Sequence, residues 1–505
     1  MITNVLDYLE HTTEQYPEKI AFKDEIEEMT FSLFQSEAKK VAMTIPEEMK
    51  REPVVVILKK GIKELVAFMG VVYSGNYYVP IEPDSPIEHI NNILNVVEAK
   101  LIITDSEYAD KLRGTIGESI EIVDYEAHLN VDMDEDYLLQ TRNGQLDTDP
   151  LYVLFTSGST GVPKGVIISH QSVIDYTEWC VETFGFTKDT IFANQASFCF
   201  DNSILEIYPT LKVGSKLCII PEKFFSFPRR VLEYLKDNQV NTIFWVPSVL
   251  VSIANSNVLS EFKLPSLKKI LFCGEVMPNK QLNIWRKNFP TVLYANLYGP
   301  TEITDVCSYY IVDREFSDDE ILPIGNACKN TQILVINEKN KLCGIGETGE
   351  LCVRGTCLSL GYFGDWDKTE SVFVQNPFNN KWKELIYRTG DIVKYNERGE
   401  LLYLCRKDYQ IKHNGYRIEL GEIETAAYAL EEMKQCCALY NEEKKKIVLF
   451  CVLSNPQMCE KDIYGWLKKK LPKYMLPNVI NLKDKLELNN NVKIDKVKLK
   501  KEMME

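Results

Sequence analysis

The sequence predicts an α/β protein built in several parts, and three observations carry that expectation. Short β-branched runs alternate with helix-period segments as far as about residue 400, which is the pattern of βαβ units and parallel sheets. Residues 344–403 then change character, with glycines and closely spaced strands (ELCVRG, ELLYLCRK) that suit a small antiparallel barrel or sheet. A lysine-rich tail of about 100 residues follows, the size of a separate small domain. In chain order, strands are expected at 53–58 (PVVVIL), 101–104 and 216–220, and helices at 61–73, 227–238 and 279–288. In the tail, residues 445–452 read as a strand and 461–470 as a helix.

Composition narrows the function classes. At 505 residues and 45% hydrophobic, the chain exceeds one compact core and has apolar surface for several. A formal net charge of −15 argues against a nucleic-acid partner, which needs a basic face to release counterions. The start, MITNVLDYLEHTTEQYPEKIAF, has acidic residues where a secretory signal carries basic ones, and no apolar run approaches a membrane span. The 14 cysteines show no CxxC spacing, which fits reduced thiols and a cytoplasmic location. With only five histidines (His11, His89, His128, His170, His413), the working groups are expected to be lysine, carboxylates and backbone amides.

Residues 151–170 read LYVLFTSGSTGVPKGVIISH. A strand-like run leads into a loop of glycines and hydroxyls closed by Lys164, followed by a stretch that could start a helix. A Walker loop needs glycine before its lysine and Ser or Thr after it; here Pro163 precedes and Gly165 follows, so that reading fails. Taken alone, the loop remains open between a phosphate cradle and a structural turn.

An ordered series of motifs places it. GNYYVPIEPDSP (75–86) precedes TSGSTGVPKG, and FDNS (200–203), NLYGPTE (296–302), GELCVRG (349–355), YRTGD (387–391), RKDYQIKHNGYRIEL (406–420), LPKYMLP (471–477) and NVKIDK (491–496) follow it. Over essentially its full length the chain resembles the adenylate-forming superfamily, which includes acyl-CoA synthetases, luciferases and nonribosomal-peptide adenylation domains. The resemblance implies a large N-terminal domain over 1–407, of two βαβ-type subdomains plus a small β-barrel. A small mobile α+β domain over 408–505 would carry the catalytic lysine.

It also implies a reaction: a substrate carboxylate attacks the α-phosphorus of ATP, releases pyrophosphate and leaves an acyl-adenylate. A carboxylate is already nucleophilic, so alignment and charge neutralisation suffice, in keeping with a histidine-poor chain. By resemblance, Thr156, Ser157, Gly158, Ser159 and Thr160 would cradle the β- and γ-phosphates, with Lys164 on the loop or the leaving pyrophosphate. Tyr298 would stack on adenine beside Gly299, Asn296 would bond its amino edge, Thr301 would touch the α-phosphate, and Glu302 would help hold Mg2+. Asp391 would accept the ribose hydroxyls, supported by Arg406. Lys493 would bridge the substrate carboxylate and the α-phosphate, although Val492 stands where the family has glycine. Asp408 matches the hinge, behind Cys405 where glycine is usual, and Lys412 and Gly415 match the lining of a thiol tunnel.

Asp201 bears most on the substrate, because in amino-acid-activating relatives an aspartate here meets the α-ammonium. As a bare residue it could equally cap the helix that begins SILEIY. The other pocket positions are Asn202, Leu205, Phe244, Leu271, Cys273, Leu297, Asp305 and Val306, a mostly apolar set for a small or medium side chain, in which Asp305 faces a polar group or sits at the rim. LFCGEVMPN (271–279) is similar to D-alanine:carrier-protein ligases. The expected function is therefore amino-acid activation and transfer to the phosphopantetheine thiol of a separate carrier protein, with the lysine-rich tail as docking face. A carboxylic acid:CoA ligase and a non-catalytic nucleotide-binding relative are the alternatives.

Overall fold

The computed structural model describes residues 2–117, 119–157, 163–407, 410–455, 457–487 and 494–504. The chain divides into two compact units: Met1–Pro83, Glu98–Leu154 and Val166–Lys407 form one, and Asp84–Val97, Phe155–Gly165 and Asp408–Glu505 form the other.

In the first unit, a seven-stranded sheet runs in the order Gly361–Tyr362, Lys164–Ser169, Pro150–Thr156, Tyr77–Pro80, Pro53–Ile57, Leu101–Thr104, Glu121–Asp124. Pro53–Ile57 and Leu101–Thr104 are apolar throughout and wholly buried, as strands covered on both faces must be. They pair in parallel, Val54 opposite Leu101. A second sheet of nine strands has at its centre the parallel run Leu293–Tyr298, Lys269–Phe272, Thr242–Trp245, Ile191–Asn194, Lys216–Ile219. The expected helices stand at Ile62–Tyr73, Pro228–Asp237 and Asn279–Asn288. The small third part is an antiparallel sheet of five strands, Thr331–Ile336, Thr348–Gly355, Leu385–Tyr395, Phe373–Gln375 and Leu401–Arg406.

One local expectation changes, and one alternative falls away. The stretch after Lys164 is a strand, Lys164–Ser169, because Val166, Ile167 and Ile168 are β-branched and find a place in the sheet. The helix starts one residue later, at His170, where the Ser169 hydroxyl accepts from the Ser172 N–H at 3.2 Å, and it ends at Gly185 in the left-handed region. Asp201 is not a helix cap. It opens the short turn Asp201–Ser203, and its carboxylate accepts from the neighbouring Asn202 N–H at 3.0 Å while the helix Ile204–Val213 begins after Ser203.

In the second unit, a hairpin of Gln410–His413 and Tyr416–Glu419 turns at Asn414 and Gly415, whose φ angles of 53° and 84° are those of the Asn-Gly turn that matches strand twist. Beyond it, Met433–Asn441, Lys446–Leu453 and Val479–Leu482 form a three-stranded sheet packed on the helices Leu420–Tyr428 and Glu460–Leu467 through Ile418, Ile423, Leu449 and Ile463. Among the described residues no helix is long and apolar enough to cross a membrane.

Candidate active site

Strand Leu293–Tyr298 delivers Asn296, Leu297 and Tyr298 to its C-terminal end, the edge at which parallel sheets place their ligands. The chain then turns at Gly299, where a Cβ would lie 2.2 Å from the Asp305 carbonyl oxygen, so only glycine fits. Asp391 and Arg406 face each other across two antiparallel strands, with the guanidinium 3.1 Å from one carboxylate oxygen. The Tyr298 hydroxyl donates to the other. Burial, and then the Asp391 charge, push the Tyr298 hydroxyl well above the usual phenol range, so it stays a donor at neutral pH. Asn296 donates its amide N–H to the Pro323 carbonyl at 2.8 Å, which turns its Oδ1 into the acceptor an exocyclic amine needs. Thr301 is buried beside Glu302, whose side chain is fully buried and accepts from the Tyr362 hydroxyl at 2.7 Å.

Among the described residues no group of three His, Cys, Asp or Glu side chains could hold a metal. A hard cation such as Mg2+ keeps its waters and takes one or two carboxylates together with substrate phosphates. Glu302 is the carboxylate that would hold it.

The positions expected to meet the acid form the second group. Leu205, Phe244, Leu271, Cys273, Leu297 and Val306 are all buried in one apolar core. Phe244 and Leu271 stand side by side in neighbouring strands. Asp201 is half-buried. Asp305 is not at a rim: it is 1% exposed, and the Tyr176 hydroxyl donates to its carboxylate at 2.6 Å. Thr304 and Asp305 are both left-handed, at φ 61° and 68°, two consecutive strained residues that hold this turn in place. Polar atoms here are buried without a hydrogen-bond partner among the described residues, the Tyr152 hydroxyl and the Asn202 amide nitrogen among them. The Tyr152 hydroxyl is pushed well above the phenol range by burial, with Tyr208, Asp201 and Asp305 adding to it.

The phosphate loop belongs to the second unit. The Thr156 hydroxyl is buried without a hydrogen-bond partner, a donor suited to an anion. The Ser157 hydroxyl donates to the Arg417 carbonyl at 2.9 Å and accepts from the Glu419 N–H at 2.8 Å. The Lys164 ammonium lies 3.4 Å from the Glu419 carboxylate. Lys412 and Gly415 sit on the hairpin that ends in Glu419. Gly158, Ser159, Thr160, Asp408 and Lys493, with Val492, lie outside the described residues. The lysines expected to make a docking face are partly engaged: Lys470, Lys483, Lys496 and Lys498 pair with Glu88, Glu502, Glu424 and Glu487.

Sequence reasoning passes over Tyr176 and Tyr362, since no motif marks a tyrosine that bonds a carboxylate far away in the chain, and over the buried Tyr152. Glu419 lay inside a quoted motif, yet nothing in the sequence pairs it with Lys164, 255 residues earlier.

The sequence profile described as AMP-binding enzyme matches residues 9–363, and that of the AMP-binding enzyme C-terminal domain matches residues 422–493. A D-alanine--D-alanyl carrier protein ligase of Bacillus licheniformis is 31% identical over 99% of both chains. Among solved structures, the Vibrio cholerae adenylation domain AlmE, in complex with glycyl-adenosine-5'-phosphate, aligns with a TM-score of 0.84 at 21% identity, covering 100% of this chain and 98% of that one. An artificially fused adenylation-PCP di-domain, NpsA-ThdA from Klebsiella oxytoca, aligns at 0.82 and 20% identity, covering 95% and 94%. At such identities these two likenesses speak for the fold.

Proposed function

The chain belongs to the AMP-binding enzyme family, and on that footing we propose that it is an AMP-forming amino acid:carrier-protein ligase. The match along the whole length of a D-alanine--D-alanyl carrier protein ligase carries this reading. The half-buried Asp201, a carboxylate suited to an α-ammonium, and the mostly apolar set of the other pocket positions, suited to a small or medium side chain, support it.

In the first half-reaction the amino acid's carboxylate oxygen bonds to the α-phosphorus of ATP. The bond to the bridging oxygen breaks, and pyrophosphate leaves. Asp391, held by Arg406 and Tyr298, accepts from the ribose hydroxyls, and Asn296 receives the adenine amine. Thr156, Ser157 and Lys164 meet the pyrophosphate end. Magnesium, when bound at Glu302, would neutralise phosphate charge. Lys493 meets the reacting carboxylate and the α-phosphate as a mobile point charge. In the second half-reaction a phosphopantetheine thiol attacks the acyl carbon, AMP leaves, and a thioester remains on the carrier.

The deciding experiment is ATP–pyrophosphate exchange with magnesium and a panel of acids. Exchange driven by one or a few small amino acids, followed by their transfer to a phosphopantetheinylated carrier protein, is the expected result. Exchange with aryl or fatty acids alone, or thioester formed only on CoA, overturns the reading.

A further inference from the structure

Three buried tyrosines of the first unit differ in one respect. Tyr152 stands opposite Tyr78 in neighbouring parallel strands, with ring centres 5.5 Å apart. Tyr208 lies on the helix that carries Leu205, and all three rings belong to the apolar core that also holds Leu271, Cys273 and Leu297. The Tyr78 and Tyr208 hydroxyls bond each other at 2.7 Å. The Tyr152 hydroxyl, on a side chain with 0% exposure, has no hydrogen-bond partner among the described residues. Burial first, and then Tyr208, Asp201 and Asp305, hold its proton on, so it is a donor at neutral pH. The Asn202 amide nitrogen is a second donor in the same position. It lies beside Gly274, the residue after Cys273, where a Cβ would stand 3.9 Å from it on a backbone at φ 100°. A buried donor left unpaired costs free energy that a partner recovers. The α-ammonium of an amino acid is itself a donor and cannot be that partner. Asp305, to which the Tyr176 hydroxyl donates at 2.6 Å, supplies an acceptor at the same end. All of these groups lie in one compact unit.

We infer that the amino acid this chain activates carries a neutral oxygen on a short side chain, a hydroxyl or a carboxamide, and that Tyr152 and Asn202 select it by donating to that oxygen. The inference rests on the amino-acid ligase reading and names the class of amino acid within it. A hydroxyl or carboxamide oxygen has two lone pairs, enough for both donors, and its own proton or N–H can go to the Asp305 carboxylate. The methyl of alanine would leave both donors buried and unpaired, the arrangement that rejects an apolar analogue most strongly. A side-chain carboxylate would meet the like charges of Asp201 and Asp305. A side-chain ammonium has no lone pair to offer either donor.

The test compares oxygen-bearing amino acids with apolar counterparts in ATP–pyrophosphate exchange by the full chain: serine with alanine, threonine with valine and asparagine with leucine, in both enantiomers. At least one oxygen-bearing member is expected to exceed its counterpart by about 100-fold or more in kcat/KM. Serine or threonine in the lead identifies the hydroxyl, and asparagine the carboxamide. Tyr152→Phe deletes only the hydroxyl and is expected to lower that ratio about tenfold, through a higher KM for the oxygen-bearing amino acid. Its melting temperature is expected to equal or exceed the parent's, because the group removed is a buried donor without a partner. Asn202→Leu replaces the amide by an apolar group of similar shape and is expected to lower the ratio in the same direction, so the test stands even if one variant folds poorly. A panel led by alanine, valine or leucine, or by ornithine or aspartate, overturns the inference and leaves the ligase reading standing. A ratio unchanged in both variants overturns it too, since the two donors then take no part in selection. Exchange with aryl or fatty acids alone overturns the ligase reading and the inference together.

Discussion

The nucleotide end and the acid end of the first unit are built on different terms. At the nucleotide end each carboxylate already has its partner: Asp391 has Arg406 and Tyr298, and Glu302 has Tyr362. The acid end combines buried apolar side chains with polar atoms that have no hydrogen-bond partner among the described residues, those of Tyr152 and Asn202 among them, and a strained turn at Thr304 and Asp305. ATP is the same molecule at every turnover, so rigid prearrangement there strengthens binding without loss. A pocket that must choose among acids gains from polar groups that only the right substrate satisfies, because a wrong one leaves them buried and unpaired.

The largest effect should follow from breaking the prearranged end. Asp391→Ala removes the carboxylate proposed to accept from ribose and takes an ion-pair partner from Arg406, whose side chain is 13% exposed. Loss of one partner of a buried pair costs about 3–5 kcal/mol, so a lower melting temperature is expected alongside an ATP KM raised about 100-fold or more. Initial-rate exchange kinetics against ATP and a thermal melt report both. If the amino-acid KM rose more than the ATP KM, the division between the two ends would fail.

Asp201→Asn is the matching cut at the acid end. It keeps the acceptor that meets the Asn202 N–H but deletes the charge. An amino-acid KM raised about tenfold to 100-fold, with the ATP KM within about twofold of the parent, is expected for the loss of one charged contact to substrate. Equal rises in both constants would mean that the two ends are not independent.

The division also explains what could be read from the chain beforehand. Parallel strands buried on both faces, such as PVVVI and LIIT, announce themselves by composition, and the nucleotide groups lie in contiguous motifs. The contacts that finish each site do not, since Tyr176 reaches Asp305 across 129 residues, Tyr362 reaches Glu302 across 60, and Ser157 reaches Glu419 across 262. Topology alone brings them together. The local misreading had a local cause: GVIIS after the phosphate loop is β-branched and was claimed by the sheet.

The smallest expected effect probes how far the acid end departs from full pairing. Glu206 follows the pocket residue Leu205 on the helix Ile204–Val213, is fully buried, and accepts from the Asn194 amide at 2.6 Å. Burial pushes its carboxyl up to about 8, against the opposing pull of Asn194 and the Lys60 charge. The folded protein therefore holds this proton up to near pH 8, whereas the unfolded chain releases it near 4.5. Between those values the folded state binds more protons, so this group's contribution is whole below pH 4.5 and falls as pH rises toward 8. Glu206→Gln keeps an acceptor for Asn194 and removes the titration. Melting temperatures measured from pH 5 to pH 9 should show the variant gaining on the parent as pH rises, by about 2–5 °C at the upper end, with the amino-acid KM little changed. A constant difference across that range would mean that Glu206 does not titrate there, and that the acid end is as fully compensated as the nucleotide end.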